Sequence, residues 1–109
     1  MSIYGAWVSA VIALNGTVSA AANLGRDYEY VQIIIPAQDS ATIGLQVGTD
    51  PTGTMTLTYQ TLGIGSNATA ATTGSVTTTL ELGGFQYVKV VSSATQTAAR
   101  TYYLRGYRL

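Results

Sequence analysis

The sequence predicts an all-β, antiparallel protein, because apolar and polar residues alternate along short segments that are separated by turn residues. Ile43, Leu45 and Val47, for example, alternate with Gly44 and Gln46, which is the period of a strand with one face in a core. No segment has a sustained helical period with cap residues. About eight strands at this spacing favour a jelly-roll-like β-sandwich of two packed sheets, and a small closed β-barrel is the alternative.

The first half of the chain contains several of these segments. An apolar stretch at residues 3–14 ends at the turn pair Asn15-Gly16, which marks the end of a strand. Residues 28–35 are rich in β-branched and aromatic side chains, and Pro36 ends this strand because proline cannot donate to a ladder. Residues 33–35 are all isoleucine, which predicts a central strand that is covered on both faces.

The second half continues the alternation. Residues 54–59 form a predicted hairpin with the strand before them, across a turn that contains proline and glycine. The low-complexity tract at residues 63–74 predicts a long surface loop. The remaining strands are predicted at residues 76–80, 85–91 and 101–109. Gly83-Gly84 predicts a turn between the first two of these strands.

Length and charge limit the classes of protein that this chain can represent. Its 109 residues predict one domain, 1–109, in which residues 1–14 form an edge strand or an arm that docks on a neighbour. Five basic and five acidic side chains give a net charge of zero, so we expect no nucleic-acid partner. The apolar run near the N-terminus is too short for a bilayer, and no Lys or Arg precedes it. We therefore expect no membrane partner, no signal peptide and a cytosolic product.

The composition also argues against catalysis. The sequence contains no histidine and no cysteine, which removes the usual proton carrier, activated nucleophile and metal ligands. Asp27 and Glu29 share a face of an extended segment, but a charged strand entry explains them better than a glycosidase pair does. Asp39 and Asp50 lack the ligand spacing of a calcium loop. We therefore expect no enzyme, no cofactor and no metal site.

Tyrosine and arginine concentrate at the C-terminus, and both are enriched at protein interfaces. In a strand at 101–109, Tyr103, Arg105 and Tyr107 lie on one face and Tyr102 and Leu104 on the other. The alternatives are that these aromatic rings fill the core, or that they stack on sugars. The N-terminal segment is also apolar for a chain end. The candidate partner-binding residues are therefore Ile3, Tyr4, Trp7, Tyr102, Tyr103, Arg105 and Tyr107.

Three segments carry a resemblance to a known group of proteins. Residues 24–36 end a strand on proline, and residues 41–50 alternate and close on an Asp turn. Residues 85–101 combine the strand Tyr87-Val88-Lys89-Val90 with the approach Gln96-x-Ala98-x-Arg100 to the last strand. Together they resemble small virion proteins of tailed bacteriophages. The sequence departs from that group at Leu45, where an aromatic residue is expected, and at Gly48, where serine is common.

The resemblance implies a β-sandwich that binds other virion proteins, above all a head decoration (cement) protein that binds and stabilises the lattice of the major capsid protein. It implies a place in the virion and a homo-oligomer, with a trimer favoured. A capsid repeats the same junction many times, so a small neutral module on each junction stabilises the particle through avidity. The alternatives are a tail or fibre component, and a carbohydrate-binding module for host attachment.

Overall fold

The computed structural model describes residues 3–48, 60–61 and 71–108. These residues form the strands β1 (Ile3–Tyr4), β2 (Val8–Ile12), β3 (Ala22–Ile35), β4 (Ile43–Gly48), β5 (Gln60–Thr61), β6 (Val76–Ser92) and β7 (Arg100–Arg108). These ranges contain no helix, and hence no helix that could cross a membrane. The strand predicted at 54–59, the turn before it and most of the loop predicted at 63–74 lie outside the described residues.

All seven strands belong to one antiparallel sheet, in the order β1–β7–β3–β6–β4–β5, with β2 also paired to β7. Leu104 of β7 pairs with Val8 of β2 and with Ile33 of β3, so those two strands must lie along opposite edges of β7. β7 is therefore hydrogen-bonded along both of its edges. The prediction of an all-β, antiparallel protein is confirmed.

Gly83 and Gly84 do not form the predicted turn. β6 continues through both glycines, which adopt φ values of 79° and 90°. The pairing of β6 with β3 shifts register here, between the pair Tyr28–Phe85 and the pair Tyr30–Glu81. Glycine tolerates positive φ without steric cost, and extra residues in one strand of a pair bend that strand. Two predicted strands are therefore one long, bent strand.

The bend in β6 lets both halves of the sheet share a single core. Buried side chains from β2, β3, β4, β6 and β7 form one hydrophobic cluster. β2 contacts β3 and β6 although it pairs with neither, so the sheet is folded over on itself rather than flat. The hydrogen-bonded strands form one sheet and not the two separate sheets of the predicted sandwich. In the described residues, β1 and β5 at the two ends of the order are not paired with each other, so they form no closed barrel.

β3 is central in the sheet, but only one of its faces is covered. Ile33 and Ile35 are fully buried, whereas 37% of the surface of Ile34 is exposed. The prediction that residues 33–35 are covered on both faces is therefore wrong. The open face of β3 continues onto β7, where it forms part of the surface described below.

Two glycines make room for the ring of Tyr28, which is buried in the core. A Cβ atom on Gly106 would lie 2.1 Å from Cδ2 of Tyr28, and one on Gly5 would lie 2.7 Å from the Tyr28 hydroxyl oxygen. The missing side chains let this ring from β3 cover the end of β7. The packing leaves no space for even a methyl group at Gly106.

We predict that Gly106→Ala destabilises the protein by about 1–3 kcal/mol, the usual cost of overpacking a core. Chemical denaturation gives the change in the free energy of unfolding. The control is the same substitution in a Tyr28→Ala background, where the ring is gone and the added methyl group should cost little. An equal cost in both backgrounds would show that the contact with Tyr28 is not the cause.

Candidate functional site

The open face of β7 and of its neighbouring strands carries a cluster of aromatic and polar side chains. Side chains alternate along a strand, so Tyr103 lies on the opposite side of β7 from the buried residues Tyr102 and Leu104. The same side is shared by cross-strand neighbours in β3 and the N-terminal segment. We call this surface the aromatic face; it consists of Tyr4, Trp7, Tyr30, Gln32, Tyr103, Arg105 and Tyr107.

Three tyrosine rings form a stack across the aromatic face. Tyr107 of β7 pairs with Tyr4 of β1 on one edge and with Tyr30 of β3 on the other. The ring centroids of Tyr107 and Tyr4 are 5.6 Å apart with planes inclined by 23°. Those of Tyr107 and Tyr30 are 5.3 Å apart with planes inclined by 22°. Each such pair contributes about 0.5–1.5 kcal/mol beyond its buried area, so the stack ties β1 to the sheet.

Arg105 is held between the N-terminal segment and β3. The central carbon of its guanidinium lies 5.0 Å from the ring centroid of Tyr4 and 4.7 Å from that of Trp7, which is within the range of cation–π attraction. Its Nε donates to Oε1 of Gln32 at 3.1 Å, and its Nη2 donates to the same oxygen. The position of the one guanidinium on the aromatic face is therefore fixed before any partner binds.

Large apolar side chains on this face are open to solvent. The exposed fraction is 55% for Tyr4, 41% for Trp7 and 47% for Tyr103. Val11 and Ile34 are also exposed and lie on the same face, because Ile34 pairs with Tyr103 and Val11 pairs with Thr101, two residues before Tyr103 on β7. Contiguous exposed apolar residues beside polar ones are typical of surfaces that bind another macromolecule.

The structure brings together Tyr4, Trp7, Tyr103, Arg105 and Tyr107 of the candidate residues named from the sequence. Ile3 lies at the start of β1, where its backbone pairs with Arg108. Tyr102 has to be removed from the set, because it lies on the other face of β7 and is fully buried. It takes the alternative role of a core residue.

Tyr30 and Gln32 belong to the aromatic face but were not predicted. Both alternate with the buried residues of β3, so they lie on the open face of that strand. What the sequence lacked was the pairing of β3 with β7, which sets Tyr30 opposite Tyr107 and Gln32 opposite Arg105. That pairing joins residues that are far apart in the chain.

The buried hydroxyl of Tyr102 anchors a loop. It donates a hydrogen bond to Oε1 of Gln38, whose Nε2 donates to the carbonyl oxygen of Thr72 at 3.0 Å and to that of Ala41 at 3.4 Å. Burial raises the pKa of Tyr102 above its usual value, and the nearby charge of Arg100 opposes this shift. Both polar atoms of the Gln38 side chain thus hold parts of the chain together, which makes this a structural contact.

Gln96 holds a second set of loop contacts and is fully buried. Its Oε1 accepts hydrogen bonds from the backbone N–H of Asp39 at 2.9 Å and from Nε of Arg100 at 3.3 Å. Its Nε2 donates to Oγ of Ser92 at 3.0 Å. Two residues of the Gln-x-Ala-x-Arg motif, Gln96 and Arg100, therefore join the turn after β3 to the start of β7.

Asp39 lies at the outer end of these contacts. Its carboxylate accepts a hydrogen bond from the backbone N–H of Thr97 at 2.6 Å and one from the Thr97 hydroxyl at 3.2 Å. Arg100 lies 3.7 Å away. The hydrogen bonds from Thr97, aided by the charge of Arg100 and opposed by partial burial, hold the pKa of Asp39 below its usual value. Asp39 is thus engaged in structure rather than in a calcium loop, and Asp50 lies outside the described residues.

The two carboxylates considered above as a glycosidase pair lie on β3. Asp27 and Glu29 are both exposed on β3. Within residues 3–48, 60–61 and 71–108, no group of three or more His, Cys, Asp or Glu residues could hold a metal ion. The chemistry that the aromatic face offers is stacking, hydrogen bonding and the charge of Arg105.

The sequence matches no protein-family model and no curated protein. Among solved structures, the fold is similar to that of the SPBc2 prophage-derived protein YomS, with a TM-score of 0.59, 9% identity, and coverage of 98% of this chain and 95% of that one. It is less similar to the Yersinia pseudotuberculosis-derived mitogen (TM-score 0.46, 10% identity, coverage 96% and 85%). A chitosan-binding module from a Paenibacillus sp. IK-5 chitosanase/glucanase gives a TM-score of 0.46 at 15% identity, with coverage of 86% and 92%. The likeness to YomS shows that the all-β fold is shared with a prophage-derived protein.

We predict that Asp39 stabilises the fold above its ordinary pKa of 3.8 and that this contribution is lost as the pH falls below that value. The sign follows from the lowered pKa: acid protonates Asp39 in the unfolded chain before it does so in the folded one. Thermal unfolding of the wild type and of Asp39→Asn is measured from neutral to acidic pH. The difference in Tm between the two proteins should shrink on acidification. Asp27→Asn is the matched control, and an equal pH response in both variants would contradict the assignment.

We also predict that Gln38→Leu destabilises the protein by about 1–3 kcal/mol, the cost of leaving a buried polar group without its partner. The Tyr102 hydroxyl would lose its acceptor. The double variant Gln38→Leu/Tyr102→Phe should be less destabilised than the sum of the single variants, as measured by urea denaturation. Additive costs would show that the two side chains are not coupled.

Proposed function

We propose that this chain is a non-enzymatic structural protein of a bacteriophage virion, and specifically a decoration protein that binds and stabilises the lattice of the major capsid protein. The observation that carries the proposal is the aromatic face, which combines exposed Tyr4, Trp7 and Tyr103 with a fixed guanidinium at Arg105. Tyrosine, tryptophan and arginine are the side chains that most often dominate the binding energy of protein interfaces. The protein would reside in the virion and bind copies of itself and other virion proteins.

Two further observations support this proposal. The fold is similar to that of a prophage-derived protein, and the strand and loop motifs resemble those of tailed-phage virion proteins. In addition, the net charge of zero leaves no strong electrostatic repulsion between copies or against a capsid. A protein without net charge is better suited to close contact with another protein than to nucleic acid, whose binding requires a basic stripe.

The second candidate is a carbohydrate-binding module for host attachment, alone or as part of a tail or fibre. Exposed Trp7 and Tyr4 favour it, because ring faces pack well against apolar groups of a ligand. However, the ring faces of Tyr107 are turned toward Tyr4 and Tyr30, and Arg105 lies over Tyr4 and Trp7. Few ring faces remain for a sugar, so the geometry favours a protein partner.

The test is binding to particles of the phage that encodes the chain. Purified protein, added to particles from which it has been deleted, should co-sediment with them and raise their resistance to heat. Trp7→Ala and Tyr103→Ala should each weaken binding at least about tenfold, because central aromatic contacts are typically worth 2 kcal/mol or more. Val76→Ala, which truncates an exposed apolar residue of β6 away from the aromatic face, is the matched control.

The result would distinguish the candidates. Binding to the head, located by electron cryomicroscopy, supports decoration, whereas binding to the tail alone supports the tail component. Glycan-array binding that is lost in Trp7→Ala, with no binding to particles, would overturn the proposal in favour of the carbohydrate-binding module.

A further inference from the structure

We propose that β2 is a strand-addition site through which two copies of this chain pair edge to edge, with the two β2 strands antiparallel. This inference does not depend on the phage assignment. It starts from the position of β2, which pairs with β7 and has no other strand beside it among the described residues. Within residues 3–48, 60–61 and 71–108, no strand pairs with its outer edge, which can therefore accept hydrogen bonds from another strand.

One hydrogen bond identifies the direction of the backbone groups in β7. The backbone N–H of Gly5 donates to the carbonyl oxygen of Gly106 at 2.8 Å. Gly106 thus directs its polar backbone groups toward the N-terminal segment. Because the direction alternates along a strand, Leu104 and Tyr102 do the same.

This alternation determines which backbone groups of β2 point toward its open edge. Val8 pairs with Leu104 and Ala10 pairs with Tyr102, so the backbone groups of Val8 and Ala10 are bonded to β7. Ser9 and Val11 then direct their N–H and C=O groups toward the outer edge. Both residues are exposed, whereas Ala10 between them is buried. The pattern is that of an edge whose outward groups are open to solvent.

This edge lacks the features that normally prevent strands from pairing between molecules. Protected edges carry charged residues, especially lysine, or proline. Residues 3–14 contain neither a charged residue nor proline. The nearby strands differ, since β3 carries Arg26, Asp27 and Glu29 and β6 carries Glu81. β7, which pairs with β2, carries Arg100, Arg105 and Arg108, so the absence of charge is a property of residues 3–14 and not of the surrounding sheet.

A second copy is the occupant that this edge fits. With a two-fold axis at Ala10, Ser9 of each copy faces Val11 of the other, and both residues direct their backbone groups across the new contact. These pairs are therefore the hydrogen-bonded pairs of an antiparallel ladder, formed twice by symmetry. No like charges meet, because β2 is uncharged in both copies. The contact also places the two aromatic faces side by side on one continuous sheet.

The proposed contact is isologous and closes after two copies. The free protein should therefore be a dimer rather than the trimer that the resemblance to virion proteins implies. A dimer would present two aromatic faces in a fixed relation, which increases binding to a repeated lattice through avidity.

The experiment measures the mass of the purified full chain by analytical ultracentrifugation from about 1 μM to about 1 mM, the range in which weak to moderate association is detected. The wild type should approach the mass of a dimer as its concentration rises. Val11→Lys should weaken dimerisation at least about tenfold, since two lysines would lie on the shared edge. Ser9→Pro should do so by removing an outward N–H without breaking a bond to β7. Val76→Lys adds the same charge on β6 and should remain as dimeric as the wild type.

Hydrogen exchange followed by NMR supplies a residue-specific readout. In the wild-type dimer the amides of Ser9 and Val11 should be protected from exchange. In the Val11→Lys variant the Ser9 amide should exchange rapidly, whereas the Ala10 amide should stay protected because it is bonded to β7. A wild type that is monomeric throughout the range would overturn the proposal. So would a dimer or trimer that persists in Val11→Lys or leaves the amides of Ser9 and Val11 exposed. Neither outcome depends on binding to phage particles.

Discussion

The fold depends on β7 being hydrogen-bonded along both of its edges. On one edge it carries the N-terminal segment, β1 and β2, and on the other it carries β3. Since side chains alternate, the same strand supplies Tyr102 and Leu104 to the core and Tyr103, Arg105 and Tyr107 to the surface. The aromatic face and the open edge at β2 both follow from this arrangement.

β7 is kept in place by contacts that the hydrophobic core alone does not provide. Gly106 lets the ring of Tyr28 lie against it, and the Tyr102 hydroxyl bonds to Gln38. Gln96 joins the turn after β3 to the segment that leads into β7. These polar side chains are buried or partly buried, and each has a hydrogen-bond partner. They therefore specify one position for β7 without leaving a buried polar group unsatisfied.

The surface chemistry and the composition point in the same direction. The chain contains few charges and neither histidine nor cysteine, which are common side chains of acid–base and metal sites. What the fold presents instead is a stack of tyrosines, a guanidinium held by Gln32, and an uncharged strand edge. Both proposals rest on these features: the aromatic face is the surface proposed for a different protein, and the edge of β2 is the one proposed for a second copy.

The sequence by itself determined the class of the fold, because a period of two residues permits strands and excludes amphipathic helices. It also determined the end of β3 at Pro36, which cannot donate to the ladder, and the division of β7 into two faces. Only the tertiary structure decided which face is buried, since both faces contain tyrosine. It also decided that Gly83 and Gly84 bend a strand rather than end it. Both outcomes depend on which strands become neighbours, and that pairing is between residues far apart in the chain, beyond the reach of any local pattern.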